Sequence, residues 1–63
     1  EPAMELNLKN GMKLTKTGPD EWAVEFSGMK MNFCDADVAA QMTRNGCTTT
    51  EILAAVPMYR FHA

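Results

Sequence analysis

The sequence predicts an α+β domain, a four-stranded antiparallel β-meander with two short C-terminal α-helices packed on one face. Two observations indicate this fold. Over residues 4–33, apolar and polar residues alternate with a period of two, and turn-forming residues interrupt the alternation. After Phe33 the alternation stops, and two segments with helix-start signals follow. We expect one domain over residues 1–63, because a chain of this size buries roughly 60% of its unfolded surface and has room for one small core.

Composition restricts the classes of protein. Six Lys and Arg residues against eight Asp and Glu residues give a formal net charge of -2, whereas nucleic-acid binders are usually basic. The longest apolar run, residues 52–56, is far shorter than the roughly 20 residues of a membrane span. We therefore expect neither nucleic acid nor a membrane as partner. Residues 1–3 fit either the chain's own start or an added remnant before Met4.

The first predicted hairpin covers residues 4–15. Apolar residues occupy alternate positions on both sides of the turn signal Asn10-Gly11: Met4, Leu6, Leu8, Met12 and Leu14. A two-residue loop would put the two apolar sets on opposite faces, whereas a three-residue loop, residues 9–11, pairs Leu8 with Met12. We predict the three-residue loop, with Gly11 in the left-handed region.

The second predicted hairpin follows a loop at residues 17–20, where Gly and Pro favour a turn. A two-residue turn at Ser27-Gly28 pairs Trp22 with Phe33 and Glu25 with Lys30. This register also pairs Val24 with Met31 and Phe26 with Met29. All apolar pairs then share one face. The other face carries mixed charges, and we expect it to be solvated.

The first helix is predicted over residues 35–42. Asp35 is a good N-cap residue, and Asp37 is favourable in the first turn because an acid there complements the helix dipole. Gly46 is expected to end this helix.

The second helix is predicted to start at a capping box formed by Thr48 and Glu51 and to continue through Val56. Pro57 ends it, because the residue before a proline is disfavoured in the α region. The remaining residues, 58–63, form a C-terminal arm, either as a short strand or as an irregular segment.

The chain has six methionines. The predicted register places four of them on the inner face of the sheet, and a fifth reaches that face from the first helix: Met4, Met12, Met29, Met31 and Met42. Core filling is the favoured interpretation, since a flexible thioether fills gaps. The alternatives are an adaptable binding surface left open by the two short helices and, more remotely, copper binding.

Cys34 and Cys47 each precede a predicted helix. Two cysteines are too few for a disulfide framework, so we expect reduced thiols in a cytoplasmic protein, with a single bridge as the alternative. A thiol site at Cys34 and Cys47, or a metal site that also uses His62, is the third functional alternative. No phosphate loop, paired acid–base carboxylates or catalytic triad is evident, so we expect no catalytic residues, no cofactor and no enzyme.

Residues 38–56 also fit part of a helix-turn-helix pattern. Gly46 in the turn, with Ile52 six residues later, has the expected spacing, whereas Met42 and Asn45 depart from it. The second helix begins with Thr49 and lacks the basic residues that contact phosphates. Because the Gly46 to Ile52 spacing fits while these other features do not, a DNA-binding regulator that uses residues 38–56 ranks second, after the interaction module described below.

The C-terminal arm contains the predicted partner-binding residues Met58, Tyr59, Arg60 and Phe61. Aromatic residues, Met and Arg are enriched in protein interfaces. We expect Tyr59 and Phe61 to be partly buried, with the arm packed on its own sheet or on a second copy. The sequence thus predicts a small non-enzymatic protein–protein interaction module, an adaptor, regulator or inhibitor, that forms a homodimer.

Overall fold

A computed structural model describes residues 4–60. The elements in chain order are β1 (Glu5–Asn7), β2 (Lys13–Gly18), β3 (Glu21–Phe26), β4 (Met29–Phe33), α1 (Asp35–Arg44) and α2 (Thr49–Ala55). The strands form one antiparallel sheet in the order β1-β2-β3-β4, and the helices pack against one of its faces. The predicted α+β fold is confirmed.

The hairpin between β1 and β2 has the predicted three-residue loop. The backbone N–H of Leu8 donates to the carbonyl of Met12 at 2.9 Å, and Leu6 lies opposite Leu14. Gly11 has a φ of +93°, a conformation that costs little only for glycine. The apolar residues of both strands therefore share the inner face of the sheet.

The hairpin between β3 and β4 has the predicted two-residue turn. Trp22 lies opposite Phe33, and Glu25 lies opposite Lys30. Ser27 and Gly28 have φ values of +52° and +76°, as a type I′ turn requires at both central positions. The predicted register is confirmed along the whole of β4.

The connection between β2 and β3 is shorter than predicted. Strand β2 extends to Gly18, so the turn is reduced to Pro19-Asp20 instead of the loop predicted over residues 17–20. The pairing shifts between Lys16 and Gly18, which is a β-bulge. Before the bulge, in the regular register, Lys16 lies opposite Trp22, with its Nζ 5.1 Å from the ring centroid.

The core lies between the sheet and the helices. Its buried members are Met12, Leu14, Trp22, Val24, Val38, Ala39, Met42, Ile52, Ala55 and Val56. Core filling is correct for Met12 and Met42, and Met31 packs partly buried against the core. It is wrong for Met4 and Met29, which are 41% and 59% exposed, because the two short helices do not cover the whole inner face.

The prediction that Asp35 is the N-cap of α1 is wrong. The N-cap is Cys34, and Asp35 is the first helical residue. Asp37 accepts a hydrogen bond from the backbone N–H of Cys34 at 3.2 Å. The Asp35 carboxylate accepts instead from the indole of Trp22, at 2.7 Å, so a tertiary contact outweighs its capping preference.

The capping box at the start of α2 is confirmed. The Thr48 hydroxyl accepts from the backbone N–H of Glu51 at 3.1 Å, and the Glu51 carboxylate accepts from the backbone N–H of Thr48 at 2.7 Å. The backbone N–H of Thr48, followed by its side chain, holds the pKa of Glu51 below its ordinary value. The helix ends at Ala55, and Val56 caps it.

Candidate interaction surfaces

The predicted partner-binding residues within the described range, Met58, Tyr59 and Arg60, line a cleft beside the start of α1. Met58 is 83% exposed, and Arg60 is also exposed. Together with Asp20, Ala36 and Val56 they line a cleft of about 270 Å³. We call these five residues the C-terminal surface.

Tyr59 fixes the backbone of this segment. It packs partly buried against the core, and its N–H donates to the carbonyl of Val56 at 3.0 Å. The expected partial burial of Tyr59 is confirmed, whereas Phe61 lies outside the described residues. Residues 58–60 of the arm form no strand, so they do not extend the sheet beside β1.

A polar cluster lies beside the C-terminal surface. It is formed by the side chains of Lys16, Asp20, Trp22 and Asp35. The Oδ1 atom of Asp35 accepts hydrogen bonds from Trp22 Nε1 at 2.7 Å and from Lys16 Nζ at 3.3 Å. The Asp20 carboxylate accepts from the backbone N–H of Asp35 at 2.8 Å. The cluster therefore joins the turn between β2 and β3 to the start of α1, and it gives the buried indole its hydrogen-bond acceptor.

The β4 edge, residues 29–33, is the longer of the two edges of the sheet. The side chain of Met29 lies on the inner face of the sheet and is largely exposed. Beside Met29, the side chains of Phe26, Met31 and Phe33 are half-buried. Among residues 4–60, no strand pairs with β4 on the side that faces away from β3. The edge thus combines unpaired backbone groups with an apolar strip.

The outer face of the sheet is polar, as predicted. Glu5 and Lys13 form an ion pair at 3.6 Å, while Glu25 and Lys30 lie opposite each other and are exposed. A shallow depression of about 320 Å³ lies around Ala23. Because these charged side chains are exposed, this face is a solvated surface, on which ion pairs contribute little to stability.

The described residues add no further ligand or reactive group to the proposed thiol or metal site at Cys34 and Cys47. Cys34 and Cys47 are both free and half-buried. Within residues 4–60, no three His, Cys, Asp or Glu side chains are arranged to hold a metal ion, and His62 lies outside that range. The thiol or metal site remains a prediction.

The helix-turn-helix alternative also remains a prediction. Gly46 in the turn has a φ of +79°, and the helix after the turn has seven residues, 49–55. None of these seven residues is Lys or Arg.

No protein-family model, curated protein or solved structure matches the chain. Neither α1 nor α2, with ten and seven residues, is long and apolar enough to cross a membrane.

Sequence reasoning overlooked the β4 edge. Its signal was present, because a meander that ends in a strand leaves that strand at the border of the sheet. The polar cluster had no comparable signal, since Lys16, Trp22 and Asp35 are far apart in the sequence.

Proposed function

We propose that this protein is a small non-enzymatic module that binds a partner protein and acts as an adaptor, regulator or inhibitor. One observation carries the proposal. Three of the four large apolar side chains exposed among residues 4–60 are methionines, Met4, Met29 and Met58; the fourth is Leu53. Methionine side chains are flexible and polarisable, and they are frequent at binding surfaces that adapt to their partners.

The C-terminal surface is the proposed site for the partner. Met58 and Arg60 both line the cleft, and both residue types are enriched at interfaces. The half-buried Tyr59 holds this segment on the core, which reduces the conformational entropy lost on binding. The partner is expected to insert an apolar side chain beside Met58.

Two further observations support a non-enzymatic protein in the cytoplasm. The Asp35 carboxylate is occupied by Trp22 and Lys16, so it has a structural role in the fold. Both cysteines are free, as is usual in a reducing compartment.

The proposal is tested with the full-length chain immobilised and exposed to a lysate of the host cell, with bound proteins identified by mass spectrometry. Met58→Gln keeps the side-chain length and removes the apolar contact. Leu53→Gln is the matched control, because Leu53 is also exposed but lies on α2, outside the C-terminal surface. We expect Met58→Gln to weaken binding of a specific partner about tenfold, equivalent to about 1.4 kcal/mol, and the control to have no effect.

Equal retention of every bound protein by Met58→Gln and by the control would exclude the C-terminal surface as the binding site. Circular dichroism of both variants verifies that each is folded.

A further inference from the structure

The backbone groups of β4 alternate between the sheet and the solvent. In a two-residue hairpin the residues that flank the turn, here Phe26 and Met29, exchange both backbone hydrogen bonds. The next bonded pair is Val24 with Met31, and the last is Trp22 with Phe33. The N–H and C=O groups of the two residues between them, Lys30 and Asn32, therefore point away from β3.

The side-chain pattern of β4 is symmetric about its central residue. Met29, Met31 and Phe33 lie on the inner face, and Lys30 and Asn32 lie on the outer face. An antiparallel partner with the same pattern would therefore place apolar residues beside apolar residues along the whole strand. A second copy of β4 has this pattern.

We infer that the β4 edge is a self-association site, at which two copies of the chain pair their β4 strands antiparallel about a two-fold axis at Met31. In this register Lys30 lies opposite Asn32 of the second copy, and the free backbone groups of both residues are satisfied. Met29 lies opposite Phe33 of the second copy, which extends the apolar strip across both subunits. The two four-stranded sheets become one continuous sheet.

Charge excludes one two-fold alternative, and strand length disfavours another, because an axis at Asn32 would leave Met29 and Lys30 with no opposite residue in β4. A two-fold axis at Lys30 would place two ammonium groups directly opposite each other, which is destabilising. An axis at Met31 places an uncharged amide opposite each Lys30, while Glu25 lies beside Lys30 on its own sheet. The strand itself carries no acidic residue, so this edge is free of the negative charge that predominates in the chain.

The predicted association is weak. An edge of five residues buries less than the roughly 1,200 Å² of a stable interface, so the dimer should form at high micromolar concentration. The inference does not depend on the proposed function, because the site and the occupant are different.

The experiment is sedimentation equilibrium of the full-length chain from about 10 µM to about 1 mM, in which we expect the mass to rise from 7.0 kDa towards twice that value. Asn32→Pro removes the outward N–H and should weaken dimerisation more than about tenfold, while the bonds between β3 and β4 remain.

Asn7→Pro is the matched control on the opposite edge. The flanking Leu8 bonds to β2, so the N–H of Asn7 also points away from the sheet. This variant should dimerise like the unmodified chain. A monomer at every concentration, or a dimer that persists in Asn32→Pro, would overturn the inference.

Amide hydrogen exchange by NMR provides a test that needs no variant. The N–H groups of Lys30 and Asn32 should exchange more slowly at about 1 mM than at about 50 µM, because association is concentration-dependent. Unchanged exchange at both amides would also overturn the inference.

Discussion

Replacing Asp35 with Ala should destabilise the protein more than any other change of an exposed or half-buried acid. Trp22 is fully buried, and its Nε1 donates to Asp35 at 2.7 Å. In the Asp35→Ala variant this donor loses its acceptor, and the indole nitrogen is left unsatisfied inside the fold. Lys16 loses its ion pair in the same step.

Three contributions set the size of the stability loss in Asp35→Ala. An unsatisfied buried donor costs about 1–3 kcal/mol. Loss of an acid from the first turn of α1 costs about 0.3–1 kcal/mol. The ion pair with Lys16 is about one third exposed on each side, so it contributes about 0–1 kcal/mol. Together they give about 1–5 kcal/mol, a large part of the roughly 3–9 kcal/mol expected for the free energy of unfolding of 63 residues.

The assay is urea denaturation followed by circular dichroism and by the fluorescence of Trp22, the only tryptophan of the chain. Asp35→Asn retains an oxygen acceptor for the indole and should lose less than half as much stability. Asp37→Ala is the matched control, because it removes the other acid of the first turn but no contact with Trp22. If Asp35→Ala were no more destabilising than Asp37→Ala, the indole hydrogen bond would not have the role argued above.

Four further predictions concern the turn, the second helix and the arm. Ser27→Asn should raise the free energy of unfolding by about 0.5 kcal/mol in urea denaturation, because Asn tolerates the positive φ of a type I′ turn better than Ser; an unchanged midpoint would contradict this. Thr48→Ala should cost about 1 kcal/mol in the same assay, and an unchanged midpoint would mean that Thr48 is not an effective cap. The pKa of Glu51 is lowered on folding, so the Glu51 carboxylate should stabilise the folded state above the unfolded-state pKa. This stabilisation should be lost as the pH falls through the folded-state pKa. Glu51→Gln should therefore abolish this part of the acid dependence of the melting temperature. Deletion of residues 58–63 should lower the melting temperature by several degrees through loss of the Tyr59 contact with the core, and equal thermal melts would show that the arm is a passive end.

The strand register was predictable because several local signals agreed. Turn length, the alternation of apolar residues and the placement of Glu25 opposite Lys30 all required the same pairing, and the structure has it. The role of Asp35 was not predictable from local signals. Residue type and position favour an N-cap, whereas the contact with Trp22 arises only when the sheet and α1 come together.

The candidate surfaces were predictable in part. The residue types of the arm indicated that Tyr59 would contact the core, and it does. The exposure of Met29 depends on how much of the sheet the helices cover, and periodicity alone gives no value for that area. The bulge after Lys16, which brings Gly18 opposite Glu21, likewise has no clear local signature in the sequence.

The two proposed surfaces should respond differently to the loss of the polar cluster. Asp20 and Asp35 border the cleft beside Met58, so a change at Asp35 alters both stability and the support of the C-terminal surface. The centre of the β4 edge, Met31, lies opposite Val24 and not opposite Trp22, so the cluster does not directly support it. Asp35→Asn, studied at a temperature at which it is folded, should therefore weaken partner binding and leave the dimerisation constant unchanged. Equal losses in both assays would mean that the two surfaces are coupled through the sheet.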